Sequence, residues 1–415
     1  MTIRYDPFRP PDRDDPYPTW ARARAEAPVF FSEAQQAWIV TRYDDISEAV
    51  RDTARFISAD VVRPLTPPPE VQAVLQQGYA YEEMRPLVAT DPPRHTRLRK
   101  FANAAFTPKR VVAMEPRIRS LARELIHVMA PAGEGDLIES FAYPLPLRVV
   151  MALMGVPETD QETVHRWSQD KVALQWGGDM DLAEHVSHAQ GFVEFQRYFA
   201  SLIDERRRIP GGDIVSAMVA ARLEGEKPLG TPELVGQMMG LITAGHETTT
   251  NLIAHAVILL LRHSDQWDAL LGDASLASAT VEEVLRMDSP VMGMMRTATM
   301  DAELGGARIP AGARVQLMFA SANRDAGYFA DPNHFDIRRS DAGRHVAFGH
   351  GNHFCLGAGL ARLEGRIAIE LLASQLPTLC LDPDPISYRP NAAFRGPVSL
   401  HVSWDPRSYI DSSDH

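Results

Sequence analysis

The chain has 415 residues, of which 45% are hydrophobic and 23% charged, a globular composition that excludes a disordered or collagen-like chain. Its 42 Lys and Arg stand against 54 Asp and Glu, a formal net charge of −12, which is the reverse of what a sequence-independent nucleic-acid binder requires. The two cysteines, Cys355 and Cys380, are too few for a disulfide scaffold or for a four-thiolate iron–sulfur cluster, so any electrons the chain uses come from outside it.

The opening Met-Thr-Ile-Arg-Tyr-Asp-Pro carries no apolar run, so neither a signal peptide nor an anchor is expected, and the protein is predicted to be soluble and cytoplasmic, with no membrane association. Strand-forming residues at 28–31 and 37–41 predict a small sheet. A Pro-rich stretch at 63–69 and the Gly- and aromatic-bearing segment after it, to 90, predict a mobile loop. From 92 onward helical periodicity dominates, over 94–101, 110–129, 146–154, 159–172, 181–208, 232–263, 278–287 and 356–374. The apolar run 252–261 is about half the roughly 20 residues of a membrane span and is broken by His255, so it belongs to a buried helix. With no repeat and no long polar linker, the expectation is a mainly α protein with small β-sheets and a single domain over 1–415.

The long pattern from Thr231 is well marked: Thr231 is a capping residue, Pro232 suits the first helical position, and Glu233 complements the dipole. Unbroken to 263, it would be about 45–50 Å long at 1.5 Å per residue. Its middle, Ala244-Gly245-His246-Glu247-Thr248-Thr249-Thr250, sets a glycine, an acid and three β-branched residues where propensity favours Ala or Leu. Such local conflict marks functional sites.

Phe348-Gly349-His350-Gly351-Asn352-His353-Phe354-Cys355-Leu356-Gly357 leads directly into the last long helical pattern. Cys355 thus stands at a helix entrance, where backbone N–H groups and the dipole favour a thiolate, with Arg362 and His353 adding positive potential. The glycines let the backbone approach something flat and bulky. Cys380, between Leu379 and Leu381, reads as a small buried hydrophobe.

These residues resemble the cysteine loop of the cytochrome P450 haem-thiolate monooxygenases, Phe-Gly-x-Gly-x-His-x-Cys-x-Gly, at every fixed position. Glu283-Val284-Leu285-Arg286 resembles the family's Glu-x-x-Arg, in which i,i+3 spacing lets acid and guanidinium meet and grip the meander before the cysteine loop. Ala244-Gly245-His246-Glu247-Thr248-Thr249 resembles its oxygen-activating stretch; the competing zinc pattern His-Glu-x-x-His fails at Thr250. Asp91-Pro92-Pro93-Arg94-His95 with Arg99 resembles a further family segment, His95 and Arg99 lying one turn apart and Arg97 pointing elsewhere. Segments 322–325 and 331–339 look like the meander, so the likeness spans about residues 6 to 404.

The resemblance implies the P450 fold, with haem b held between the long central helix and the cysteine-loop helix. It implies Cys355 as axial ligand of the haem iron and Ala244, Phe348 and Gly357 beside the haem. It implies His95, Arg99, Arg296 and His353 as partners of the propionates. Glu247 then relays protons, Thr248 presents a hydroxyl to dioxygen, and Ala244 and Gly245 leave room above the haem. Glu283 and Arg286 are structural. The implied reaction inserts one oxygen atom from O2 into a mostly apolar small molecule, by hydroxylation or epoxidation, in secondary metabolism; the alternatives are oxidative coupling, ring closure or nitration on the same fold, or a non-catalytic haem sensor. Substrate contacts are expected from 61–88, 174–193, Gly240, Thr243, Ala244, Val291, Met292, residues to 294, and 392–395 with Phe394. Electrons are expected from NAD(P)H through a separate ferredoxin and ferredoxin reductase, docking on a basic patch drawn from Arg97, Lys100, Arg338, Arg339, Arg344 and Arg362.

Overall fold

The computed structural model describes residues 3–59, 61, 67–176 and 180–410. The expectations for 62–66 in the Pro-rich stretch and for 177–179 in the 174–193 segment lie outside the described residues. The chain groups into two compact units, one of residues 1–57, 115–146 and 248–415, the other of 58–114 and 147–247.

All described strands belong to the first unit: β1 (Val29–Ser32), β2 (Ala37–Val40), β3 (Phe56–Ile57), β4 (Glu134–Asp136), β5 (Met294–Ala298), β6 (Ala302–Leu304), β7 (Ala307–Ile309), β8 (Arg314–Leu317), β9 (Cys380–Leu381) and β10 (His401–Ser403). They form a five-stranded sheet in the order β1-β2-β8-β5-β3, a three-stranded sheet β4-β10-β9 and the hairpin β6-β7. In the larger sheet β2 pairs parallel with β8, Trp38 opposite Val315, and the other pairs are antiparallel. Alternation turns Val40, Phe56, Ala298, Val315 and Leu317 into one buried cluster with Ile46 and Phe319. The sequence reading placed strands only at 28–41. It passed over the hairpin signal of Gly305-Gly306, the two-residue turn that sets Leu304 opposite Ala307.

The helices of this unit support the C-terminal segments. Helix Ala358–Gln375 lies against the C-terminal half of helix Thr231–Arg262 and against helix Ala277–Met287. A Cβ at Gly365 would stand 3.2 Å from Leu252 and 3.3 Å from Val281, so the absence of a side chain sets how near these helices come.

Among its described residues the second unit contains helices and connecting loops but no strand. Helix Leu182–Arg208 begins with a full capping box, Asp181 Oδ1 accepting from Glu184 N at 2.9 Å, and buries Val193, Phe195, Phe199 and Ile203. The segment after the Pro-rich stretch, expected as loop, contains helices Pro69–Leu75 and Tyr81–Met84, because Val71 finds cover in a cluster with Leu174 and Ala189. Helix Thr231–Arg262 is continuous over 32 residues. Its start is fixed by Glu233, whose carboxylate accepts from Gly230 N at 2.9 Å and from Arg97 Nη1 at 2.6 Å. Among the described residues no helix is long and apolar enough to cross a membrane.

Candidate active site

Cys355 lies three residues ahead of helix Ala358–Gln375, whose N-cap is Gly357. Its N–H donates to Phe348 O at 2.9 Å, closing the loop on itself, and its carbonyl accepts from Ala358 N at 3.4 Å. Gly349 and Gly351 hold φ of +71° and +67°, the left-handed region in which a side chain is strained, so the loop can be wound this tightly only with glycine there. The Gly357 Cβ position is 3.9 Å from Cys355 Sγ. Phe348 is covered by the Arg362 guanidinium, 4.6 Å above its ring.

The loop is anchored from behind. Arg286, with no exposed surface, donates Nε and Nη2 to both oxygens of Glu283 at 2.7 and 2.8 Å, Nη1 to Asn323 O and Pro332 O at 3.1 and 2.7 Å, and Nη2 to His334 O at 3.1 Å. The pair thus holds the meander by its carbonyls. Asn323 continues the chain of contacts, accepting Val346 N at 2.7 Å and donating to Ser289 Oγ at 2.9 Å. The adjoining Glu282 takes Arg362 in a fork at 2.6 and 3.0 Å, and His345 Nε2 lies 3.3 Å from it. Burial alone would raise the Glu282 carboxyl; these two partners outweigh it and hold it at about 2.

The middle of helix Thr231–Arg262 presents a stripe open to solvent. Ala244 is exposed and Gly240, Thr243, Glu247 and Thr248 are partly so, whereas Met239, His246, Thr249 and Thr250 are buried. At 100° per residue these five fall on one face, and Leu241 and Gly245, partly exposed as well, lie at its edge. Gly245 has another task than the sequence reading gave it: a Cβ there would meet Val150 at 3.0 Å, so this glycine admits helix Pro144–Met154 rather than leaving open space. In the second unit His95 is buried on helix Arg94–Ala105, and burial, then the charge of Arg99, lowers its basicity. Arg99 donates Nε to Asn103 at 3.0 Å. Asp91 accepts from Ser58 N and Ala59 N at 2.9 and 2.8 Å, tying down the start of that helix.

A family model described as cytochrome P450 matches residues 181–377. The cytochrome P450 monooxygenase PikC of Streptomyces venezuelae is 41% identical over 398 residues, 94% of this chain and 91% of that one. The vitamin D(3) 25-hydroxylase of Pseudonocardia autotrophica is 38% identical, covering 98% of both chains. The chain belongs to the cytochrome P450 family. The structure of cytochrome P450 CREJ in complex with (4-ethylphenyl) dihydrogen phosphate matches it with a TM-score of 0.88 and 35% identity over 97% of this chain and 99% of that one. A cytochrome P450 from Chondromyces apiculatus matches with 0.87 and 34% over 99% and 100%. The protein is therefore a cytochrome P450 monooxygenase, a haem enzyme supplied with electrons by redox partners.

The side chains of this P450 suit that cofactor. A cysteine at a helix entrance behind a glycine-wound loop is a soft thiolate donor of the kind a haem iron would take. Of the cations expected at the propionates, Arg296 and His353 belong to the first unit and His95 and Arg99 to the second. Arg296 is buried on β5, with Nη1 on Met295 O at 2.7 Å.

Val291 and Phe394 face each other in an isolated antiparallel bridge, with Met292 N on Ala393 O at 2.7 Å and Arg395 N on Pro290 O at 2.8 Å, so two of the expected substrate segments form one turn-against-turn wall. The wall is secured by Arg395, which donates to Asp288 Oδ1 at 2.9 Å and to the carbonyls of Arg13 and Asp14, while Tyr17 adds a 2.7 Å bond to the same carboxylate oxygen. On the long helix, Gly240 stands against Pro86, 3.5 Å from its Cβ position. Thr243 takes part in a polar group with Ser168 and Lys171.

Two sequence readings need correction. Arg362 does not lend free charge to the cysteine, because Glu282 neutralises it. The other cations of the expected patch are in part ion-paired, Arg97 and Lys100 with Glu226, Arg97 also with Glu233, and Arg339 with Glu283 and Asp341, while Lys100, Arg338 and Arg344 remain exposed. Cys380, expected to be buried, is exposed at the end of β9. Asn323 and Glu282 were not singled out as site residues, Arg395 was expected only as part of a substrate segment, and Lys171 was not singled out either. The first three act through partners more than 20 residues away, which spacing does not reveal. The signal available for Lys171 was its place in a helical pattern at a position that falls on the buried face.

Proposed function

We propose that this P450 is a haem-thiolate monooxygenase that inserts one oxygen atom from O2 into a mostly apolar small molecule of secondary metabolism, with Cys355 as the axial ligand. The observation that carries the reading is the loop that delivers Cys355 to a helix entrance in a chain whose long helix keeps one face open at Ala244, Glu247 and Thr248. Haem, when bound, supplies the activation of dioxygen by two electrons and two protons. Arg296, His353, His95 and Arg99 would supply the cationic partners that its propionates need, since buried carboxylates are costly without them. Phe348, Gly357 and Ala244 are the further residues that would contact the haem, Ala244 with no more than a methyl group. Glu247 gives and takes a proton at its carboxylate, and the Thr248 hydroxyl passes it on. Substrate would meet Gly240 and Thr243 on the long helix and, in the first unit, Val291, Met292 and Phe394.

Hydroxylation is favoured over coupling, ring closure or nitration because the relatives include a vitamin D(3) 25-hydroxylase and the 6-deoxyerythronolide B hydroxylase of Saccharopolyspora erythraea, the latter 36% identical over 94% of this chain. The proton-relay pair argues against a haem sensor. A ferredoxin and its reductase, drawing on NAD(P)H, are the proposed electron source.

The deciding measurement is the carbon monoxide difference spectrum of the reduced protein. A red-shifted thiolate band is expected, absent from Cys355→Ser; a band of the histidine-ligated kind in the parent protein would refute the reading. Thr248→Ala is expected to keep that band and consume oxygen while product per O2 falls severalfold; unchanged coupling would remove Thr248 from the relay.

A further inference from the structure

Lys171, on helix Gln161–Trp176, is 7% exposed, and among the described residues its ammonium has one hydrogen-bond acceptor, Thr243 Oγ1 at 3.1 Å. That hydroxyl gives its own proton to Met239 O at 2.9 Å and also lies 3.3 Å from Ser168 Oγ, which has no exposed surface. An ammonium has three donors, so two of them reach no described acceptor. No carboxylate is among its described hydrogen-bond partners, Asp170 being bonded to His188; His165 and His246, on the same two helices, have their rings 6.2 Å apart. Burial pulls the ammonium down to about 8, which leaves it mostly charged at neutral pH. A buried cation is ordinarily paired, because leaving water without a partner is expensive. What this group lacks is one negative charge with oxygen acceptors.

The place is as informative as the chemistry. Thr243 belongs to the open stripe and lies one turn, about 6 Å along the helix, ahead of Glu247. We propose that Lys171, with Ser168 and Thr243 beside it, is the anchor for a carboxylate carried by an otherwise apolar substrate. One ammonium and a hydroxyl able to turn its proton match a monoanion with two oxygens; a phosphate dianion would call for a second cation. The rest of the substrate then extends along the stripe towards Glu247 and Thr248. This inference rests on the monooxygenase reading of the stripe and narrows its substrate to acids.

The test uses the holoenzyme, first shown to give the thiolate carbon monoxide band, so that failure of the haem reading appears there. Isothermal titration at pH 7 then compares dodecanoate, 4-phenylbutyrate and cholate with their methyl esters, for the parent and for Lys171→Met. At least one acid is expected to bind about ten- to a hundredfold more tightly than its ester, as for a hydrogen bond to a charged group. Lys171→Met should erase that preference and leave the ester's affinity in place, and Ser168→Ala should reduce it by a smaller factor. If none of the acids is preferred to its ester, or if the preference survives in Lys171→Met, the ammonium is only a latch between two helices and the proposal is wrong.

Discussion

Arg286 and Lys171 are both buried cations, and their surroundings differ in kind. Arg286 meets two carboxylate oxygens and three carbonyls, with Glu283 equally buried beside it. Lys171 meets one hydroxyl among the described residues. The first arrangement is complete within the chain, as expected of a group whose task is to hold other segments still. The second is complete only with a ligand. Buried charge alone therefore does not mark a binding site; the count of donors against acceptors does.

The sharpest way to break the comparison is to remove Arg286. Arg286→Ala strands the Glu283 carboxylate and leaves the carbonyls of Asn323, Pro332 and His334 without that donor, so a loss of about 3–5 kcal/mol is expected in denaturant unfolding, with poor haem retention. A variant that unfolds like the parent would show the pair to be dispensable.

A middle case is Glu282, partly exposed and fully engaged by Arg362. Its folded carboxyl titrates at about 2, below the ordinary value of 4.5, so its contribution is fully present above pH 4.5 and lost as pH falls from there towards 2. At about 1.4 kcal/mol per unit the loss amounts to about 3 kcal/mol. Unfolding midpoints measured from pH 6 to pH 3 should fall less steeply in Glu282→Gln than in the parent; parallel curves would mean that the carboxylate adds nothing.

What the sequence made legible follows the same division between local and distant partners. Glu283 and Arg286 are three residues apart on one helix, so their meeting could be read from spacing, as could the entrance position of Cys355 and the continuity of the long helix from Thr231. The capping acid Glu233 was legible; its second partner Arg97, from another helix, was not. Gly245 shows the limit well. Its oddity in the helix was plain, but whether it made room for a cofactor or for Val150 depended on which helix lay against it. The strands β5 and β8 escaped because their alternation is short and their pairing partners include β3 and β2, hundreds of residues away in the chain.

The smallest expected effect is the most discriminating. Lys171→Met replaces an ammonium that the fold leaves under-satisfied with an apolar chain of similar length, so the ligand-free enzyme should gain about 1–2 kcal/mol at pH 7, not lose it. The sign carries its own pH test. The folded ammonium titrates at about 8, below its ordinary 10.5, so between those values the unfolded chain binds more protons and the parent's stability rises with pH. The advantage of Lys171→Met should therefore be full below pH 8 and shrink towards zero by pH 10.5. Thermal unfolding of both proteins at pH 7, 8, 9 and 10 measures it. A substitution that destabilises at pH 7 would mean that Thr243 and Ser168 already satisfy the ammonium, and Lys171 would then join Arg286 as a finished structural contact.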